Sequence, residues 1–297
     1  MKAFVVVGDV MMDVTATIAG PIALGSDTSA RISLQAGGSA ANTARWLASV
    51  GHSARLLGCI GDDALGEMAL RALVRAGVQP MLVVREARTG TCVVIVEPTG
   101  ERTMLPDAGA NTLLTPGDLL SDAFTGNGHL HMSGYTLLRP ATREAGIAAC
   151  LLARAAGMTI SLDAASTAPI MEQPGAFDEA YPLVDLLLAN SEEALALTGA
   201  SSAEQAAGML ADRVGTVVVK AGAEGAVGVH KGLAHLAPAV GCAVADTTGA
   251  GDAFAAGLLG AWTQGAPLAA ALAKGNQLAA VAVSRVGAGP PTDEGQE

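Results

Sequence analysis

Aromatic residues are scarce. Phe, Tyr and Trp make up 3% of the 297 residues while hydrophobic residues reach 51%. Stacking platforms are therefore few, and the core has to be built from Ala, Val and Leu packed closely with the help of 37 glycines. Basic residues are also few: 17 Lys and Arg stand against 28 Asp and Glu, a formal charge of -11. A nucleic-acid backbone needs a basic face, so nucleic acid is excluded as the main partner and any anionic ligand has to be bound locally. The four cysteines, Cys59, Cys92, Cys150 and Cys242, form no CxxC pair. This argues against a zinc site or a disulfide framework and for free thiols in a reducing cytoplasm. The opening MKAFVVVGD has too few apolar positions for a secretory signal. Residues 253–273 carry no charge over about the length of a membrane span, but Thr263-Gln264-Gly265 and Pro267 interrupt them. The run therefore reads as two buried helices joined by a turn, and no membrane is expected as a partner. A Walker A loop and a complete GxGxxG are missing too, which removes two common ways of holding phosphate.

What the chain does contain is alternation. Short β-branched runs at 3–7, 54–59, 129–132, 159–162, 185–188 and 216–219 take turns with longer Ala/Leu-rich segments of helical period at 40–50, 64–76, 141–156, 203–213, 250–262 and 268–284. Such βα units predict an α/β fold with a mainly parallel sheet and helices on both faces. Residues 14–36 and 89–106 break the pattern by alternating apolar with polar or turn residues, as antiparallel strands exposed on one face do. They are expected to form a small β-lid inserted into a core of residues 1–13, 37–88 and 107–297. The tail after Gly289 is expected to be loose.

In an open α/β sheet, ligands gather at the carboxyl ends of the strands, so the loops there carry the chemistry. DTTGAGDAFAAG, residues 246–257, is such a loop running into a helix. Gly249, Ala250 and Gly251 expose backbone amides where the helix begins, and unpaired N–H groups together with the helix dipole attract an anion. Small side chains let a phosphate come close. Asp252 taken alone is explained as well by capping the helix as by catalysis. A second acid at Asp246 and the surrounding glycines favour a site.

The longer stretch DTTGAGDAFAAGLL resembles the C-terminal signature of the ribokinase-like, or PfkB, carbohydrate kinases. GGSAANTARWLASVGHSARLLGCIG resembles their N-terminal signature through Gly37-Gly38, Asn42, Ala44, Gly51 and Gly61. GDVMMD at 8–13, GANTLLTP at 109–116, NSEE at 190–193, KAGAEG at 220–225 and AVSRVGA at 282–288 agree, so the likeness spans nearly the whole chain. It implies a ribokinase-like fold and ATP-dependent transfer of phosphate to a hydroxyl, with Mg2+ and, in many relatives, K+. Asp252 matches the base that takes the proton from the acceptor hydroxyl, help worth about 10² to 10⁴ in rate. The amides of Gly249, Ala250 and Gly251 match the anion hole, and Asp13, Gly38 and Asn42 match sugar-binding positions.

By the same likeness, Asn190 and Glu193 match the NxxE element that organises magnesium and the ATP phosphates, although this spacing also describes a capping box. Lys220, Gly222 and Gly225 fall where the nucleotide loop runs, and the two glycines would equally serve a plain β-turn. Asn276 matches a position that approaches the adenine. The backbone at Asp246, Thr248, Ala282, Arg285 and Gly287 matches the monovalent-cation site, with Pro291 standing where ribokinases have a serine.

Other residues have ordinary explanations. His129 and His131 share a strand face without a third ligand nearby and are expected to be structural, and Trp46 and Trp262 are expected to pack inside helical layers. Arg31, Arg88 and Arg102 lie in or near the lid segments, either reading an anionic group on the substrate or standing in solvent. The expected activity is phosphorylation by ATP of a hydroxymethyl group on a small ribose- or fructose-like sugar. Lid segments without Phe, Tyr or Trp favour a sugar over a nucleoside. A nucleoside kinase of the same family and a non-catalytic sugar or nucleotide sensor are the alternatives. An exposed lid sheet has edges and an apolar face to cover, and relatives pair such lids, so a homodimer is expected.

Overall fold

A computed structural model describes residues 3–99, 101–124 and 128–291. In chain order its strands and α-helices are β1 (Phe4–Val7), β2 (Met11–Ile18), β3 (Ala30–Gly37), α1 (Ser39–Ser49), β4 (Ala54–Gly61), α2 (Ala64–Arg75), β5 (Gln79–Arg85), β6 (Gly90–Val96), β7 (Arg102–Asp107), β8 (His129–Ser133), α3 (Gly134–Leu138) and α4 (Pro140–Ala155). Then follow β9 (Thr159–Asp163), α5 (Thr167–Glu172), β10 (Leu186–Asn190), α6 (Ser191–Thr198), α7 (Ala203–Ala211), β11 (Thr216–Lys220), β12 (Ala226–His230), β13 (Leu233–Ala237), α8 (Ala250–Trp262) and α9 (Leu268–Val283). A nine-stranded sheet runs β13-β12-β11-β10-β9-β8-β1-β4-β5, and a four-stranded sheet runs β3-β2-β6-β7. In the large sheet all neighbours from β5 to β11 are parallel, and β12 and β13 fold back antiparallel at one edge.

The parallel strands are almost wholly apolar because helices cover both of their faces. Successive side chains point to opposite sides, and the core divides accordingly. Phe4 and Val6 join the cluster that contains Leu47 of α1, Leu73 of α2, Leu258 of α8 and Leu272 of α9. Val5 and Val7 join the cluster of Leu137 from α3, Ala149 from α4, Ile170 from α5, Ala194 from α6 and Leu210 from α7. Each fully buried Val or Leu contributes about 1.5 to 3 kcal/mol. With few aromatics, close backbone approach replaces bulk: a Cβ on Gly257 would stand 2.5 Å from the Lys274 carbonyl oxygen, and one on Gly275 2.8 Å from the Phe254 ring. The α8–α9 seam that carries the signature loop is correspondingly tight.

The expected six strands and six helices are present with ends shifted by one or two residues. β5, β12, β13, α3, α5 and α6 go beyond that expectation. β5 opens with Gln79-Pro80 at a sheet edge, where proline is tolerated but weakens a strand pattern. β12 and β13 form a hairpin around Lys231 (φ 50) and Gly232 (φ 74), the two positive φ angles of a two-residue hairpin loop. In the small sheet β2–β3 and β6–β7 are antiparallel, but β2 and β6 run parallel. This corrects the all-antiparallel expectation: the two segments meet only after the chain has passed through α1, β4, α2 and β5. Pairing places Asp13, Gln35 and Cys92 on one face of this sheet and Val14, Leu34, Val93 and Leu105 on the other. The tail expected to be loose lies outside the described residues from 292 onward.

Candidate active site

Strands β1 and β8 to β11 end side by side, and polar residues collect where they end. Asp9 follows β1, and Ser133, Asp163, Asn190 and Lys220 are the last residues of β8, β9, β10 and β11. Lys220 Nζ donates to Asp163 Oδ2 at 2.8 Å. Burial opposes the charge on Lys220, yet Asp163, Glu193 and Asp252 around it outweigh burial and hold its ammonium above the usual lysine value. Burial likewise opposes ionisation of Asp163, but Lys220 and then His131 hold its carboxyl below the usual range. The pair is ionised at neutral pH.

The first turn of α8 lies against this pair. Its N-cap is Gly249, in the left-handed region at φ 74, and Asp252 is the third helical residue with no capping bond made by a side chain. Asp252 instead reaches across to α1: Oδ1 accepts from Ser39 Oγ at 2.8 Å and Oδ2 from Asn42 Nδ2 at 3.2 Å. The capping explanation of Asp252 is therefore set aside. Burial pushes its carboxyl up to about 7; the Asp163 charge adds to the rise, while the Ser39 and Asn42 hydrogen bonds and Lys220 pull it back. A Cβ on Gly249 would meet the Ala288 carbonyl oxygen at 2.5 Å, and one on Gly251 would stand 3.3 Å from Lys220 Nζ. Trp46 Nε1 donates to that Ala288 oxygen at 2.9 Å, so a buried tryptophan and a left-handed glycine together fix the loop. The first-turn amides of α8 lack carbonyl partners four residues back; Ala250 N turns instead to the Thr247 carbonyl at 3.3 Å, and Gly251 lies beside the Lys220 ammonium.

Asp13 lies beyond α1 on the inner face of β2. A Cβ on Gly37 would stand 2.3 Å from Asp13 Oδ2, and Gly38 takes φ 95 with its missing Cβ 2.6 Å from the Asp9 carbonyl oxygen. The glycine pair thus makes room for the carboxylate and turns the chain into α1. Burial pushes Asp13 up to about 6; Asp9 adds to this and Arg45 opposes it. Arg45 Nη1 donates to the Ala36 carbonyl at 3.0 Å and reaches Asn42 Oδ1 at 3.4 Å. Asp9 accepts from Ser39 N and Ser133 Oγ, both at 3.0 Å. Asn111 of GANTLLTP bonds both the N–H and the carbonyl of Val10, at 2.8 and 2.9 Å, and so pins the link between β1 and β2. The result is a cleft with a carboxylate that binds a proton near neutrality, the backbone amides of a helix start, a buried ammonium and a second acid for polar contacts. Such a set suits the transfer of a phosphoryl group to a hydroxyl.

Residues 1–294 match the family described as pfkB family carbohydrate kinase. The chain belongs to this family. It is 33% identical over 255 residues to an ATP-dependent ribose-1-phosphate kinase from Halopiger xanaduensis, covering 85% of this chain and 81% of that one. The adenosine kinase from Sinorhizobium meliloti superposes with a TM-score of 0.88 at 27% identity, covering 98% of this chain and 96% of the other. Ribokinase from Thermotoga maritima gives 0.84 at 23% identity over 97% and 95% of the two chains. The fold is ribokinase-like, and this pfkB-family kinase is an ATP-dependent phosphotransferase acting on a small sugar or nucleoside.

Elsewhere in the kinase some expected residues are placed differently. Asn42, expected at the sugar, gives its amide to Asp252 and faces Arg45 with its oxygen. Asn190 and Glu193 form a full capping box on α6: Asn190 Oδ1 accepts from Glu193 N at 2.8 Å and Glu193 Oε2 from Asn190 N at 2.7 Å. Glu193 is buried, and burial pushes its carboxyl up. Gly222 and Gly225 turn the chain from β11 into β12, with Ala221 N donating to the Gly225 carbonyl at 2.8 Å. Asn276 is buried in α9 with Nδ2 bonded to the Ala237 and Pro238 carbonyls at 3.0 and 2.9 Å. Its amide nitrogen thus holds the chain at the end of β13.

The five expected monovalent-cation positions do converge. Asp246 accepts from Thr248 N at 2.6 Å and from Gly287 N at 2.9 Å, while the Ala282 carbonyl accepts from Arg285 N at 3.2 Å. A third group also reaches Asp246: Arg102 of β7, at 2.7 Å. Arg88 lies 3.8 Å from the exposed Asp107, and Arg31 is exposed on β3. His129 and His131 are buried and bond Thr159 and Ser161, as structural residues do.

Ser39, Arg45 and Asp163 escape the sequence reading. Asp163 directly follows the strand run expected at 159–162, and the rule that ligands meet strand ends would have found it. Ser39 and Arg45 carry no spacing signal of their own.

Proposed function

We propose that this kinase transfers the γ-phosphate of ATP to the primary hydroxymethyl group of a furanose sugar, free or carried in a nucleoside. The observation that carries the reading is Asp252, which turns away from its own helix end and is held by Ser39 and Asn42 beside the amides of Gly249, Ala250 and Gly251. The acceptor hydroxyl gives its proton to Asp252 as its oxygen bonds to the γ-phosphorus, and the bond to the ADP oxygen breaks. The amides and the Lys220 ammonium receive the charge that develops on the transferring group, where one lost donor costs about 3 to 4 kcal/mol. Asp13, with Arg45 behind it, accepts hydrogen bonds from sugar hydroxyls.

Glu193 and Asn190 would hold magnesium, which supplies charge neutralisation to the phosphates and keeps much of its own water. Their oxygen donors suit such a hard ion, and among the described residues no group of three or more His, Cys, Asp or Glu is placed to hold a metal unaided. Nothing in the reading calls for a monovalent cation at Asp246, where a guanidinium already sits.

The named relatives act on ribose-1-phosphate and on adenosine, and both substrates carry the hydroxymethyl group of a ribofuranose. The small sheet serves as the lid, with Asp13 on its inner face. Its outer row of Leu34, Val93 and Leu105, all exposed, is the surface on which two copies pair. Three buried free cysteines and one exposed suit the reducing, ATP-rich cytoplasm. The test is ATP consumption across ribose, ribose-1-phosphate, fructose and a nucleoside set, with the Asp252→Asn enzyme as control. Turnover of one furanose class, abolished in the control, is expected. ATP binding without turnover of any acceptor would favour a sensor.

A further inference from the structure

A side chain of the small sheet reaches the signature loop. Arg102 opens β7, and its guanidinium crosses to the loop before α8. Nη2 lies 2.7 Å from Asp246 Oδ1, Nη1 lies 2.5 Å from Thr248 Oγ1 and 3.3 Å from Thr247 Oγ1. Both side chains of the ion pair are largely buried, with 18% and 12% of their surface exposed. A guanidinium carries several fixed donors and stays charged, so it can bridge a carboxylate and two hydroxyls at once.

Asp246 is where the parts of this region join. Besides Arg102 it accepts from Thr248 N, next to the left-handed Gly249, and from Gly287 N, next to the Ala288 that packs on Gly249. Nearby carbonyls are engaged as well: Ala282 O accepts from Arg285 N, and Val283 O from Ala245 N and Asp246 N. Asp246, Thr248, Ala282, Arg285 and Gly287 are the positions that the family resemblance would give to a monovalent cation, and here the positive charge beside Asp246 already belongs to the chain. A second cation would be repelled by the guanidinium at close range.

We propose that Arg102 is a tethered cation: it takes the place of a monovalent metal ion at the Asp246–Thr248 loop and sets the geometry of the anion-hole amides from the lid side. Arg102 acts on the reaction through Asp246 and the loop, as a positioning residue. Because the charge arrives on the small sheet, the loop takes its catalytic geometry only while that sheet is docked. The inference extends the proposed kinase reading, but its central measurement needs no turnover.

That measurement is thermal unfolding of the purified protein in potassium, sodium and tetramethylammonium chloride at equal ionic strength. The parent protein should melt at the same temperature in all three salts. Arg102→Met, which keeps the apolar stem and removes the charge, should melt higher in potassium than in tetramethylammonium. Arg102→Lys should fall between the two. With an accepted sugar in hand, parental kcat should be indifferent to potassium, while Arg102→Met should lose about tenfold or more in tetramethylammonium and recover when potassium is supplied. A parent whose melting or turnover requires potassium would overturn the proposal, whether or not the variants fold. So would an Arg102→Met protein as indifferent to potassium as its parent. Absence of turnover with every acceptor would count against the kinase reading and leave the melting comparison to decide this one.

Discussion

The proposed chemistry rests on the placement of Asp252, held by Ser39 and Asn42. Asn in its position keeps the shape and loses the proton acceptor, so Asp252→Asn should bind ATP and sugar within a few-fold of the parent and lose at least about 10² in kcat. Steady-state kinetics with separate binding titrations check this, and near-parental kcat would remove Asp252 from the role of base. The pH dependence follows from burial, which raises this carboxyl from 3.8 to about 7. The base works only when ionised, so kcat/KM should fall as pH drops below about 7 and level off above it. Stability runs the other way: the folded state keeps the proton between about pH 4 and 7 while the unfolded chain has released it, so rising pH destabilises the fold through that window. Asp252→Asn should accordingly be more stable than the parent at pH 8, by a margin that shrinks toward pH 5 in melting experiments. Asp13 is a second buried acid, with Arg45 as counter-charge. Asp13→Ala should raise the sugar KM by tenfold or more while ATP binding stays nearly unchanged, since lost polar partners cost about 1 to 3 kcal/mol. Equal loss of both affinities would make Asp13 structural. From sequence alone the acids could be named, but not their hydrogen-bond partners, since a serine after two glycines has many uses.

At the scale of the element, the turn from the loop into α8 depends on Gly249. Ala at this position would have to adopt φ 74 with its Cβ 2.5 Å from the Ala288 oxygen, so the loop must shift or the helix must start elsewhere. Gly249→Ala should lower the melting temperature modestly and reduce kcat by tenfold or more with Asp252 intact; an unchanged kcat would show that these amides do not stabilise the transferring phosphate. Elements differed in how far their sequence announced them. NSEE announces its capping box because both partners lie within one turn, whereas the hairpin at Lys231-Gly232 went unannounced because Lys-Gly is not among the dipeptides that favour such a turn. α3 and α5, at five and six residues, are too short for a helical period to show.

For the whole molecule, the proposed pairing of two copies rests on the outer face of the small sheet. Leu34 and Leu105 are 49% and 55% exposed and lie in one row with Val14 and Val93. Apolar rows of this kind are covered in stable assemblies. Leu34→Glu combined with Leu105→Glu should convert a dimer to monomers by sedimentation or light scattering with the fold intact, and a parent that is already monomeric would refute the pairing. The alternation of β-branched runs with helical periods determined the parallel sheet and its two helical layers, because those periods are local properties of the chain. The small residues before Asp252 likewise determined a helix that starts on a left-handed glycine with no side-chain cap. Which charges meet was decided only by the tertiary structure. Ser39 and Asp252 are 213 residues apart, Lys220 and Asp163 are 57 apart, and Arg102 and Thr248 are 146 apart. Strand order and the docking of the small sheet bring these groups together, and both follow from burying the two faces of one sheet at once, a condition that no local stretch of sequence encodes.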